Sequence, residues 1–198
     1  MSDKLNQNKS AKTTYEKILE TAYDCFATLG YEQTSLSMIA KNIGISKPAL
    51  YYHFESKEAL FETLYGFIVE EMVSEYVVHG QVENKDALVK VIIDKGLSDI
   101  QYIKEKPAFT SILKQYLLLG MRNKKIERLT KRLEESIYNY YASLMSQAMN
   151  LEIINQNEIE AYIELLLLLD HGILDKAERL DAHALNQIWT LFINKLFP

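Results

Sequence analysis

Lys47, Tyr51, Tyr52 and His53 crowd into one short stretch and supply a dense set of hydrogen-bond donors, with Ala49 among them as a small apolar group. Such a set suits the edges of base pairs. Lysine and tyrosine can donate to acceptors in the major groove, and a methyl side chain can lie against a thymine methyl. Other chemistry is thin. The glycines at 30, 44, 66, 80, 96, 120 and 172 are too scattered to cradle a phosphate. The histidines at 53, 79, 171 and 183 lie far apart, and His171 with Asp170 or Asp175 falls short of the three or four convergent ligands a metal site needs, so none is expected. Cys25 sits on an apolar stripe with nothing beside it to activate a thiolate, which points to packing. No residues suggest nucleophile, base and oxyanion donors together, so neither an enzyme nor a cofactor is expected.

The donors must be positioned by helices. Ile18, Ala22, Cys25, Phe26 and Leu29 recur at helical spacing, predicting a first helix from about Thr14 to Leu29 that stops at Gly30. Ser35 can cap a second helix ending at Gly44, with Leu36, Ile39, Ala40 and Ile43 as its stripe. Ser46 can cap a third, with Pro48 in its first turn and its end near His53. Leu50 and Phe54 would pack this helix onto the others and leave Lys47, Ala49, Tyr51, Tyr52 and His53 outward. A fourth helix after Ser56 is read with Leu60, Phe61, Leu64, Phe67, Ile68 and Met72 inward. A polar linker at Gln81–Lys85 precedes helices at about 85–103, 107–119, 124–149, 157–176 and 182–196. The expected fold is all-α. Two short helices joined by Gly44-Ile45-Ser46 have helix-turn-helix geometry, though periodicity alone equally allows a short surface helix in an ordinary bundle.

Composition fits this picture. The chain has 198 residues, 48% hydrophobic and 25% charged, with only 7 Gly and 3 Pro, and one cysteine excludes a disulfide framework. Net charge is −5, yet residues 1–60 balance their lysines and carboxylates, so the acidity lies behind them. A neutral front part can still present a basic face. The longest apolar run, Leu165–Leu169, is far below the ~20 residues of a membrane span, and the polar start lacks a signal peptide. A cytoplasmic protein without membrane contact is expected.

Residues 14–64 resemble the N-terminal domain of the TetR (tetracycline-repressor-like) family of bacterial regulators. The matching stretches run from Ile18-Leu19 to Phe26, through Leu29-Gly30-Tyr31 and Thr34-Ser35-Leu36-Ser37-Met38-Ile39-Ala40. They continue without a gap from Gly44-Ile45-Ser46-Lys47-Pro48-Ala49-Leu50-Tyr51-Tyr52-His53-Phe54 to Ser56-Lys57-Glu58-Ala59-Leu60. Residues 1–12, rich in Lys and Asn, read as a flexible arm, and the resemblance implies a helix-turn-helix DNA-binding domain at 13–60 and a ligand-binding and dimerisation domain at 61–198. It implies that Lys47, Pro48 and Ala49, preceded by the cap Ser46, face base edges of a double-stranded DNA operator. Ser37 falls where some members read a base. Tyr51, Tyr52, His53 and Lys57 match positions at phosphates or beside the bases, and Thr34 and Ser35 match a phosphate-holding helix start. Some members carry Arg where this chain has Ser37, so base readout leans on Lys47 and on DNA shape.

The resemblance also implies a homodimer and a small-molecule effector. The eighth helix is apolar on more than one side and, with the ninth, is read as the dimer face through Leu166, Leu169, Gly172, Ile173, Leu185, Ile188, Trp189 and Phe192. Phe67, Tyr76, Tyr102, Phe109, Tyr116, Tyr141, Met145 and Tyr162 are candidate walls of a pocket for an apolar or aromatic molecule, and ordinary core is the other reading of each. The function expected is an effector-responsive repressor. A corepressor-dependent or activating regulator, or a protein-interaction module on the same fold, is the alternative.

Overall fold

The computed structural model describes residues 13–198; the expected arm at 1–12 lies outside them. The described residues form nine α-helices, one 3-10 turn and no strand. The helices are α1 (Thr14–Gln33), α2 (Leu36–Ile43), α3 (Lys47–His53), α4 (Lys57–Glu75), α5 (Lys85–Glu105), α6 (Pro107–Gly120), α7 (Lys124–Asn150), α8 (Ile159–Lys176) and α9 (Ala182–Leu196). They gather into two compact units. One holds residues up to Glu75 with Ala108–Leu133, and the other holds Tyr76–Pro107 with Glu134–Pro198. The packing units therefore interleave along the chain, and α6 and the start of α7 share a unit with the helix-turn-helix.

In the first unit local signals set the helix ends. Ser35, Ser46 and Ser56 each accept a backbone N–H three residues on, from Met38, Ala49 and Ala59. Gly44 closes α2 in a left-handed conformation (φ 74°, ψ 29°). Its N–H and that of Ile45 turn back onto the last carbonyls of α2. The helical path of α1 breaks at Gly30 as the sequence predicts (φ 81°, ψ 165°), but resumes for one more turn to Gln33. The core is aromatic: Phe61 lies 4.8 Å from Phe26 and 4.1 Å from Tyr116, whose ring stacks on Tyr65 at 3.9 Å. That stack corrects the reading of α4. Tyr65 and Val69 turn inward, and Phe67, expected inside, is 44% exposed.

The second unit packs α5 against α9, with α7 and α8 completing the core. Trp189 is fully buried and its indole N–H donates to the Ile92 carbonyl at 3.2 Å. The ring fits only because position 96 has no side chain. A Cβ on Gly96 would stand 1.9 Å from the indole. Gly66, inside α4, has open space around the same position. Gly96→Ala is therefore expected to cost about 3 kcal/mol or more through overpacking. Gly66→Ala should stabilise by about 0.5–1 kcal/mol through helix propensity. Urea denaturation of the two variants checks the opposite signs.

Candidate functional site

The short helix α3 is held by its apolar side and presents the rest. Leu50 is wholly buried and Phe54 nearly so, with Tyr15 stacked on Phe54 at 5.3 Å. Ser46, Lys47, Pro48 and Tyr51 are exposed, and Tyr52 is 87% exposed. Ala49 and His53 are half-buried, and the His53 ring stands edge-on to Tyr52 at 5.3 Å. The Lys47 ammonium lies 5.6 Å from the centre of the Tyr51 ring, so cation and donor hydroxyl share one face. Ser35 and Ser37 are exposed at the start of α2. An open face of this kind, with one lysine, two tyrosines and serine hydroxyls around a small apolar centre, can donate to bases and phosphates alike.

Two residues of the expected set are engaged elsewhere. Thr34 is 1% exposed, and both its N–H and its hydroxyl donate to the Gly30 carbonyl. This corrects its reading as a phosphate contact, because a buried hydroxyl already donating to the broken end of α1 faces no ligand. Lys57 is half-buried and donates to the carbonyls of Tyr31 at 2.7 Å and Glu32 at 3.3 Å, with its ammonium 4.3 Å from the Tyr31 ring centre. It ties the end of α1 to the start of α4. Sequence reading missed Gln115 of α6, which completes that junction. Its amide accepts the Tyr31 N–H at 2.8 Å and donates to the Phe26 carbonyl at 3.0 Å. No local pattern around Gln115 points to a partner more than eighty residues away. Cys25 is buried, and burial pushes its thiol up, which suits packing.

The pocket candidates fall into both units. Phe67, Phe109 and Tyr116 belong to the first, where Phe109 and Tyr116 are buried and Tyr116 donates its hydroxyl to the Phe61 carbonyl. Tyr76, Tyr102, Tyr141, Met145 and Tyr162 belong to the second. There Tyr162 sits 5.3 Å from Phe197, and the Lys106 ammonium lies over Tyr102. Met145 is in the core. A groove of about 570 Å³ is lined by Asp94, Leu97, Ser98, Gln101, Lys104, Glu105, Ala182 and Asn186, and by none of these candidates.

Tyr76 and Tyr141 meet in a polar cluster that sequence reading did not assemble. Lys95 reaches both Asp99 oxygens at 2.6 Å, and its ammonium lies 3.8 Å from the Tyr76 ring centre. Tyr76 donates to Asp99 at 3.4 Å, and Tyr141 donates to Asp170 at 2.7 Å. Tyr140 links them edge-on, 5.8 Å from Tyr76 and 5.3 Å from Tyr141. The signal available in the sequence was a carboxylate placed directly after the five leucines 165–169. Burial pushes the Asp170 carboxyl up to about 7, with the nearby Asp99 charge adding to it, while the Tyr141 bond and Lys95 offset only part.

Of the expected dimer residues, Leu166, Ile173, Leu185 and Trp189 are buried in the second unit's own core, which leaves them no open surface for the dimer face expected of them. Leu169 and Phe192 are partly buried, and Gly172 and Ile188 are exposed. The apolar residues that α8 and α9 leave in the open are Leu165, Leu168 (64%), Ile188 and Leu191 (62%). An all-round apolar α8 serves two faces at once, and only packing says which leucine serves which.

The Asp170 shift has a thermodynamic consequence. The unfolded chain releases this proton near pH 4, whereas the folded chain keeps it until about pH 7. The folded state thus binds more protons between these values, so the stabilising contribution is full below pH 4 and is lost as pH rises through 7. Asp170→Asn, which can still accept the Tyr141 bond, is expected to be more stable than the parent at pH 8 by on the order of 1–2 kcal/mol. The gain should shrink steadily as denaturation is repeated down to pH 5.

Comparison with known proteins agrees with this geometry. Residues 18–64 match the family model described as bacterial regulatory proteins, tetR family. The chain is 45% identical over 47 residues to the negative transcriptional regulator IcaR of the biofilm operon of Staphylococcus aureus, a match covering 24% of this chain and 25% of IcaR. It is 28% identical over 136 residues to the nucleoid occlusion factor SlmA of Photorhabdus laumondii, covering 67% of each chain. Among solved structures, a TetR transcription regulator from Haloarcula marismortui superposes with a TM-score of 0.75 at 16% identity, over 92% of this chain and 95% of that one. A transcriptional regulator from Saccharomonospora viridis, solved in complex with choline, gives 0.73 at 19% identity over 91% and 95%. No helix among the described residues is long and apolar enough to cross a membrane. Residues 18–64, with the helix-turn-helix exposed on α3, thus match the tetR family of bacterial regulatory proteins, and the described chain as a whole shares the fold of solved TetR regulators.

Proposed function

We propose that the chain is a homodimeric repressor that binds a palindromic operator through α3 and is released by a small molecule held in its second unit. The exposed face of α3, anchored by Leu50 and Phe54, carries this reading. Lys47, Pro48 and Ala49 lie where base edges would be read. Ser35, Ser37, Tyr51, Tyr52 and His53 surround them for bases or phosphates, and Lys57 reaches the backbone only if it keeps a proton free of the α1 carbonyls. A dimer would set two such helices roughly 34–36 Å apart on one side of the duplex. The effector is a molecule apolar or aromatic over most of its surface, since the second unit offers tyrosine, methionine and leucine. For release it must favour one state of the dimer over the other.

The test is selection of duplexes from a random pool at two salt concentrations. A palindrome should be enriched, with affinity falling steeply as salt rises. Lys47→Ala should then relax preference at one base pair per half-site by about 1–3 kcal/mol. Equal loss on every operator variant would remove Lys47 from base readout.

The open leucines of α8 and α9 supply the proposed two-fold contact, because an isologous interface needs one self-complementary apolar patch. Leu168→Glu combined with Leu191→Glu should leave the helical fold intact and shift the protein from dimer to monomer in sedimentation velocity. A variant that stayed dimeric would move the interface off this face.

A further inference from the structure

The polar cluster of the second unit is an unusual use of core space. Two carboxylates, Asp99 and Asp170, and three tyrosine rings, Tyr76, Tyr140 and Tyr141, come together from α5, α7, α8 and the residue following α4. One half of the cluster already holds an ammonium. Lys95 sits against the face of Tyr76 and is chelated by both oxygens of Asp99. Aromatic face plus carboxylate is the combination that recognises an organic cation, because the ring quadrupole and the anion both attract it while the rings exclude water. The other half repeats the components without an ammonium in direct contact. Tyr140 and Tyr141 stand edge to face, their centres 5.3 Å apart, and Asp170 accepts only the Tyr141 hydroxyl and makes no ion pair among the described residues.

We propose that Asp170, Tyr140 and Tyr141, with Tyr76 and Asp99 beside them, form the head-group subsite for an organic ammonium ligand. This rests on the effector reading above and names the chemistry of the effector's polar end. The ligand would be a cation carrying an apolar or aromatic body, its head taking the place by Asp170 that Lys95 takes by Asp99. The charges agree with this. One ammonium lies among two carboxyl groups, and a second cation beside Asp170 would favour its ionised form as Lys95 favours that of Asp99. The surroundings agree as well, since Leu144, Met145 and Leu166 of the same core offer apolar contact to the body of such a ligand.

The test is calorimetric titration of the full chain with tetramethylammonium chloride, against sodium chloride at equal ionic strength and against neutral tert-butanol. Saturable binding of the ammonium alone is expected. Asp170→Asn, which keeps the shape and the Tyr141 bond, should weaken it at least tenfold. Lys95→Met should strengthen it severalfold, by removing the resident ammonium that competes for the cluster's carboxylates. A flat titration, or equal binding by Asp170→Asn verified as folded by its thermal transition, would overturn the subsite. The operator selection is independent of this result. Ammonium binding without operator binding would leave the subsite standing and remove its regulatory role. Operator binding with a flat titration would remove the subsite and leave the regulator.

Discussion

A broken helix end inside a packed unit exposes backbone groups that must find partners, and the helix-turn-helix is built on how this is met at Gly30. The positive φ there interrupts α1, and several polar groups around the break are taken up by side chains. Thr34 returns its N–H and hydroxyl to the Gly30 carbonyl, Gln115 bridges the Tyr31 N–H and the Phe26 carbonyl, and Lys57 gathers the carbonyls of Tyr31 and Glu32. α1, the approach to α2, the start of α4 and the middle of α6 are thereby joined at one point. Rings of Phe26, Tyr31, Phe61 and Tyr116 close over it. The exposed face of α3 has a fixed place to stand because this junction and the Leu50–Phe54 anchor leave α2 and α3 little freedom.

The second unit solves a different problem. Its helices are apolar enough to pack in several ways, and specific devices select one. Trp189 fits only over Gly96, and its indole N–H needs the Ile92 carbonyl, so the register of α9 on α5 is set by shape and by one hydrogen bond together. The tyrosine and carboxylate cluster adds a second constraint, because each buried polar group in it depends on a partner from another element. Such a cluster costs stability relative to an apolar core, as the raised Asp170 carboxyl indicates. That cost is in keeping with a place reserved for a ligand.

The two units differ in how their surface is left open. On α3 the exposed groups are donors with a rigid apolar base, which suits a polar duplex. α8 and α9 leave leucines and an isoleucine exposed among their polar residues, which suits a second apolar surface.

The sequence by itself determined the all-helical class, the capped helix starts and the α3 face. Ser35, Ser46 and Ser56 act within three residues, and Gly44 and Gly30 act through their own φ, so these signals need no distant partner. The tertiary structure alone decided which side of α4 turned inward, that Thr34 would be buried, and that Leu166 and Trp189 would be core while Leu168 and Leu191 remained open. It also decided that Gln115 would serve α1, that Gly96 would admit Trp189, and that Lys95, Asp99, Tyr140 and Asp170 would meet. The reason is physical. Capping and backbone conformation are fixed by neighbours in the chain, whereas burial and side-chain pairing are fixed by whichever surface arrives from elsewhere, and an amphipathic pattern does not name that surface.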